Sequence, residues 1–384
     1  MLHRTEDFRD ALHRLTQIGT RPWQASFAVT LLILSLAACG ETKDGSGATG
    51  GSPAATTGGA SGANGGSGGA TIGDGGGGAG AQAPRAFFGA VAAASGLYVA
   101  AGEVEGDFGT DSIILTSDDG VSWRVSYRGG DELLASVAYG GGQWVAVGWG
   151  IAEVSPTKYT RSRSILVSED ANTWHPVSSP ESEGFHQVIW TGSEFLLVGN
   201  SSVGSTLWAS ADGSEWVQRG AEHGVSGLAM GKPGLVAFGN FSDDAGATWQ
   251  PWQTLAEDIN QVLGLWPEGD GFSGSAVYRC CFGEEPWSDE YYSLRSLDGV
   301  AWDVQRELDP LPSAVARRGE TWVGVSARYD GLLYRNADTP VWTASGQAGD
   351  VVAAGDRFIA VTNNDVWSSD DGVSWTASTL PALE

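Results

Sequence analysis

Ser117-Asp118-Asp119-Gly120-Val121-Ser122-Trp123 decides the fold, because it returns. Ser210 to Trp216, Ser296 to Trp302 and Ser369 to Trp375 repeat its serine, aspartate, glycine and tryptophan at the same offsets. A copy at Ser168, Asp170 and Trp174 has Ala171 in the glycine place, and a copy at Ser242, Asp244, Gly246 and Trp249 carries one extra residue. Asn336, Asp338 and Trp342 form a degraded copy. The tryptophans of these seven copies stand 33 to 53 residues apart, a spacing that means a repeat architecture.

The flanks of each copy say what the unit is. In the second, Leu134 to Tyr139 (LASVAY) and Trp144 to Gly148 (WVAVG) are short β-rich runs joined by three glycines. Ser164 to Ser168 (SILVS) is a third run and Trp174 to Ser178 (WHPVS) a fourth. Four short strands with glycine-rich turns make a propeller blade. The sequence therefore predicts an all-β, seven-bladed β-propeller over residues 84–384 as one domain. In each copy the aspartate is suited to accept backbone N–H groups of the turn between strands three and four, and the tryptophan to pack between blades. Asp119, Asp170, Asp212, Asp244, Asp298, Asp338 and Asp371 are accordingly read as structural, since one active site would not recur once per blade. In the fourth unit Gly234 to Asn240 (GLVAFGN) runs almost directly into Ser242, so that blade is expected to be short or irregular, without room for a separate third strand.

The Ser-x-Asp-Gly-x-x-Trp string resembles the Asp-box of sialidases and related bacterial propellers, also called the BNR repeat, and the match covers essentially all of residues 84–384. A sialidase would also need an Arg-Ile-Pro motif ahead of the first box, an arginine triad and a paired Tyr and Glu. Pro84-Arg85-Ala86-Phe87-Phe88 occupies the right region without matching, and no arginine falls in a family context. The resemblance implies the fold and not the activity. No Gly-x-Ser-x-Gly, P-loop or His-Glu-x-x-His occurs. No catalytic residue, metal or cofactor is therefore assigned, and the acidic run Glu103, Glu105, Asp107 and Asp111 fits no EF-hand and reads as a solvated loop.

The first 38 residues read as an address. Arg4, Arg9, Arg14 and Arg21 precede an uncharged run from Ala25 to Ala38, too short to span a bilayer and the right size for a signal-peptide core. Leu36-Ala37-Ala38-Cys39 resembles the lipobox of bacterial lipoproteins, which implies that Cys39 is lipidated and becomes the N-terminus. No aspartate follows Cys39, so the resemblance points to the outer membrane, at the cell surface or the periplasmic face. Residues 40–83 hold 18 glycines and no aromatic residue, so 39–83 reads as the lipidated cysteine and a disordered tether. The net charge of −25, with 46 acidic and 21 basic residues, argues against a nucleic-acid surface. A monomer held on the membrane by its lipid is expected.

Topology then singles out one face. Successive strands reverse direction, so the loops between strands two and three share a face with the links between blades. Three long insertions fall there: Glu103 to Asp111, Trp149 to Arg163 and Tyr278 to Glu290. The candidate ligand-binding residues are Trp149, Tyr159 and Arg161 in blade two, Trp287 and Tyr291 in blade five, and His186, His223, Asp258 and Asn260 from the links. Trp287, Tyr291 and Tyr292 are expected to be partly exposed. Arg85, Glu132, Glu183, Asp309 and Asp350 complete a mostly acidic rim. A glycan or a protein is the expected ligand; the alternative is a glycoside hydrolase or lyase with carboxylates of this rim at the channel mouth. The adjacent Cys280 and Cys281 leave open a vicinal disulfide and a pair of buried thiols.

Overall fold

The computed structural model describes residues 85–106, 109–155, 158–201, 204–219, 227–253, 259, 261–278, 290–307, 311–326, 331–345, 351–362 and 365–383. Seven sheets of four antiparallel strands follow one another, each built from one contiguous piece of chain with its strands in sequence order. The fold is a seven-bladed β-propeller. The inner strands are Ala86–Ala94, Leu133–Gly140, Gly184–Trp190, Ala229–Met230, Gln261–Glu268, Pro312–Arg318 and Val351–Ala354. Cys39 and the leader and tether assigned to residues 1–83 lie outside the described residues.

Alternation within the strands makes the joints between blades. Tyr98, Ala100, Val104, Ile113 and Leu115 of blade one meet Ile359, Val361 and Val366 of blade seven. Val99, Ala101 and Ile114, on the opposite side of the same strands, meet Trp144, Ala146 and Leu166 of blade two. Similar apolar clusters join blades two to three, three to four, four to five and six to seven. The joint between blades five and six is polar in its described contacts. There Ser275 Oγ donates to the Pro312 carbonyl at 2.6 Å, and Arg335 pairs with Glu268 at 2.7 Å. Arg335 also stacks on Trp322 and Trp342, at 4.8 and 4.7 Å from the ring centroids.

One irregularity recurs. The inner strands of blades one, two, three, five and six each carry a β-bulge near the linker end, at Gly89, Ala135, His186, Leu263 and Ser313. In the first three blades a glycine of the second strand, Gly102, Gly148 or Gly199, faces the bulge, and a Cβ there would collide with an inner-strand carbonyl oxygen. The bulges also approach one another: a Cβ on Gly89 would lie 2.7 Å from the Leu134 carbonyl of blade two. Just past the bulge, side chains tie inner strand to inner strand. Val188 N–H donates to Ser136 Oγ at 3.1 Å, and Gln187 both donates to and accepts from the Leu228 backbone. These contacts form a collar along the linker end of blades one to four.

The seam between blades seven and one is closed by a strap. After the last strand, Thr376–Ala377, residues 378–383 run beside blade one, with Ser122 and Thr379 forming a parallel bridge. Thr379 N–H donates to the Val121 carbonyl at 2.8 Å, Trp123 N–H donates to the Thr379 carbonyl at 3.2 Å, and Arg128 Nη1 donates to the Leu383 carbonyl at 2.8 Å. Leu380 and Leu383 pack on the joint between blades one and seven.

Two expectations change here. The fourth blade is the shortest, yet it has a third strand, Asn240–Ser242, because the chain reverses within Phe238 and Gly239 and pairs Ala237 with Asn240. The insertions of blades one and two are not loops. The second and third strands run on as two-stranded ribbons, Leu97–Gly106 with Gly109–Ser117 and Gln143–Ser155 with Lys158–Ser168.

The repeated turns divide their labour between two side chains. In blade three the Ser210 hydroxyl accepts the buried Gly213 N–H at 2.8 Å, while Asp212 Oδ1 accepts the exposed Ser214 N–H at 2.8 Å. Gly213, at φ +79°, has no room for a Cβ beside Val145 of blade two. In blade six the serine's task passes to Asn336, whose Oδ1 accepts Thr339 N–H at 2.7 Å. Asp338 is exposed there and does not perform the task expected of it. Because its N–H is buried, Ser210→Ala should cost about 1–3 kcal/mol, more than Asp212→Ala, whose N–H partners water can reach. Urea unfolding of the two variants checks the order.

The aspartates also set acid stability. N–H donation from Ser122 and Val121 pulls Asp119 down to about 2. Thr248, through its hydroxyl and N–H, does the same for Asp244, down to about 2. For Asp371 burial works upward but is outweighed by the Ser374 and Val373 N–H groups, and the result is again about 2. A carboxylate with a depressed folded-state pKa contributes stability that is complete above the unfolded value of about 3.9 and is lost as pH falls through the folded one. Asp119→Ala should therefore be less stable than the wild type at pH 5 and match it near pH 2; a pH series of unfolding midpoints tests this.

Candidate functional site

On the linker-side face two groups of side chains gather at the joints between blades one, two and three. Between blades two and three, Trp149 extends from the long second strand, paired with Leu133 on one side and Arg163 on the other. Its ring lies 5.8 Å from that of His186, tilted by 49°. Gly184 permits this approach, since a Cβ there would sit 2.7 Å from Trp149 Cβ. Burial pushes the His186 pKa down to about 4, so the imidazole is neutral at pH 7. At the same joint Arg161 forms an ion pair with Glu183, both substantially exposed. Arg163 holds the link itself, donating to the Pro180 carbonyl at 3.0 Å and the Ser182 carbonyl at 2.9 Å.

Between blades one and two the face is acidic. Glu103 sits opposite Ser112 in the ribbon of blade one, and Ser112 Oγ donates to the Glu132 carbonyl at 2.6 Å. Burial, then the charge of Glu105, pushes the Glu103 carboxyl up. Burial, then Asp131, does the same for Glu132. Ser162 lies against the Glu132 carboxyl and steadies its charge, though its buried hydroxyl closes no hydrogen bond of normal geometry. Glu103 thus belongs to a strand and not to a solvated loop, and Asp111 is bound by Arg128 at 2.8 Å. Among the described residues no group of three or more His, Cys, Asp or Glu is placed to hold a metal ion.

Of the sequence candidates, Trp149, Arg161 and His186 come together. The side chain of Tyr159 and the residues His223, Asp258, Asn260, Cys280, Cys281 and Trp287 lie outside the described residues, as do Asp107, Asp309 and Asp350. Tyr291 belongs to the third strand of blade five, Glu290–Ser296, where it is half-buried. Tyr292, expected to be partly exposed, is buried in the core of that blade, because alternation along the strand turns its ring inward, with its hydroxyl donating to Glu290 at 2.8 Å. Sequence reasoning missed Glu103 as a partly buried carboxylate of this face, and it missed Arg163 and Gly184, whose tasks depend on contacts between blades.

No protein-family model matches the chain, and no curated protein matches it. Among solved structures it is similar to the β-propeller domain of the trilobed protease from Pyrococcus furiosus, at 9% identity and a TM-score of 0.49, over 78% of this chain and 97% of that one. It is also similar to an α-L-arabinanase from Penicillium chrysogenum complexed with arabinobiose, at 14% identity and a TM-score of 0.42, over 78% and 94%. A chain of a nidogen/laminin complex is similar at 8% identity and a TM-score of 0.37, over 76% and 90%.

Proposed function

We propose that the propeller binds a glycan, or a protein surface, through its linker-side face, and that a lipid on Cys39 and the glycine-rich tether display it from the outer membrane. The observation that carries the reading is the side-chain group at the joint between blades two and three. It joins an aromatic ring, a neutral imidazole and an exposed ion pair, the mixture of apolar and few polar groups that ligand sites use. The repeated turns, read as Asp-boxes, supply scaffold and no chemistry. A glycan array probed with the purified chain tests the reading. Trp149→Ala should weaken any hit about thirtyfold, the equivalent of 2 kcal/mol, in molecules that circular dichroism shows to be folded. Unchanged binding by that variant would move the site elsewhere. For the anchor, a fatty-acid analogue should label the wild type and not Cys39→Ala.

A second reading rests on Glu103 and Glu132, whose carboxyls burial pushes toward the protonated form, as a general acid requires. Release of reducing ends from a polysaccharide panel, abolished in Glu132→Gln, would favour hydrolysis over binding alone.

A further inference from the structure

At the joint between blades two and three the charges are set against each other. Ile165 and Val167, on the third strand of blade two, pack toward blade three, so by alternation Arg161 and Arg163 point to the same side. Val145 and Val147 of the second strand do likewise, which brings Trp149 to that side as well. Glu183 precedes Gly184, the residue pressed against Trp149, and is the carboxylate that pairs with Arg161. The two side chains are 39% and 52% exposed, so neither charge is sealed from a ligand. Arg163 is committed elsewhere, to the Pro180 and Ser182 carbonyls. His186 adds no charge at pH 7.

A ligand meeting this pair encounters both signs at once. A carboxylate or sulfate that approaches Arg161 also approaches Glu183, and an ammonium that approaches Glu183 also approaches Arg161. A hydroxyl meets neither conflict: it donates to the carboxylate and accepts from the guanidinium, and the ion pair stays intact. The neighbouring joint adds a bias against anions. There Glu103 and Glu105, and likewise Asp131 and Glu132, act on each other's charge, and none of the four has an ion-pair partner among the described residues. A further negative charge on this face is therefore disfavoured. Resting on the binding reading proposed above, we infer that the joint between blades two and three takes an uncharged, polyhydroxylated saccharide and excludes uronates, sulfated sugars and amino sugars, and that Arg161 and Glu183 set this choice. The Trp149 ring supplies the apolar surface on which a sugar ring stacks.

The test applies the full chain to an array of neutral, uronate-bearing, sulfated and amino-sugar oligosaccharides, beside Trp149→Ala and Glu183→Gln. Saccharides held by the wild type and lost by Trp149→Ala define the ligands of this joint, and these should be uncharged. Their binding should change less than about twofold between about 0.05 and 0.5 M NaCl, since no net charge is neutralised. Oxidising the primary hydroxyls of such a ligand to carboxylates should weaken its binding to the wild type about tenfold, and Glu183→Gln, which removes the opposing charge, should recover most of that loss. A charged saccharide held more tightly than its uncharged counterpart would overturn the charge selection and leave the glycan site standing. Equal discrimination against the oxidised ligand by the wild type and Glu183→Gln would overturn the role given to the ion pair. An array on which no saccharide is held, or none is lost by Trp149→Ala, would overturn the binding reading itself and this inference with it.

Discussion

Gly102→Ala is expected to destabilise the ring by about 3 kcal/mol, the upper end of the range for overpacking. The added methyl meets the carbonyl oxygen of Phe87 and the Cα of Phe88, both backbone atoms of an inner strand already bulged at Gly89. A flexible side chain would swing aside, but a strand hydrogen-bonded on its other residues and pressed against the Leu134 carbonyl of blade two has nowhere to go. The control is Gly142→Ala. Gly142 has φ +86° with nothing within 4 Å of the added atom, so only the left-handed conformation is charged, about 1–2 kcal/mol. Urea unfolding of both should rank Gly102→Ala as the worse. The reverse order would mean that the collar yields to pressure.

The second large effect is expected at Arg335→Ala, about 3 kcal/mol, as for loss of one partner from a largely buried ion pair. The Arg335 side chain is only 14% exposed, sits between two indoles and is the described charge link across a joint with no apolar cluster among its described residues. Burial by itself would raise the Glu268 pKa, and Ser273 and Arg335 together hold it below the ordinary value. Without Arg335 the largely buried carboxylate loses its ion pair and keeps only the weaker support of Ser273 and Arg295. The penalty should therefore shrink as pH falls from 7 toward 4.5, because Glu268 takes up a proton more readily once its partner is gone, and Glu268→Gln in the same chain should recover part of it. A penalty that is the same at both pH values would assign the loss to the indole stacks alone.

The blade count was legible because a tryptophan and an aspartate recur where each turn needs them, and the face of the site was legible because antiparallel strands must alternate ends. The weights within the turn were not. Aspartate is the more chemically conspicuous residue, yet Ser210 satisfies the N–H that water cannot reach. The ribbons of blades one and two read as loops because a projecting two-stranded ribbon has no inside, and Ile151 to Ser155 and Lys158 to Arg163 carry no sustained apolar alternation. Bulges add one residue without changing composition. Their trace is the glycine closing Val-Ala-Ala-Gly102, Val-Ala-Val-Gly148 and Leu-Leu-Val-Gly199, a regularity that acquires meaning once a partner strand is known. Tyr292 was misjudged for want of a strand boundary, since one position decides whether a ring faces solvent or core.

Because every blade is a contiguous hairpin pair and none borrows a strand from the far end, each has its own sheet hydrogen bonds as soon as its 33 to 53 residues have been made. The contacts that close the circle join positions more than 250 apart: Arg128 with Leu383, Gly120 with Ser378, Tyr98 with Arg357. Such contacts incur the largest loop-closure entropy in the molecule and return it last. Folding should accordingly divide into fast, local events and one slow cyclisation. Until that step, blade one presents an open flank to any other chain with an unpaired edge, and this interval is when misassembly between molecules competes with closure.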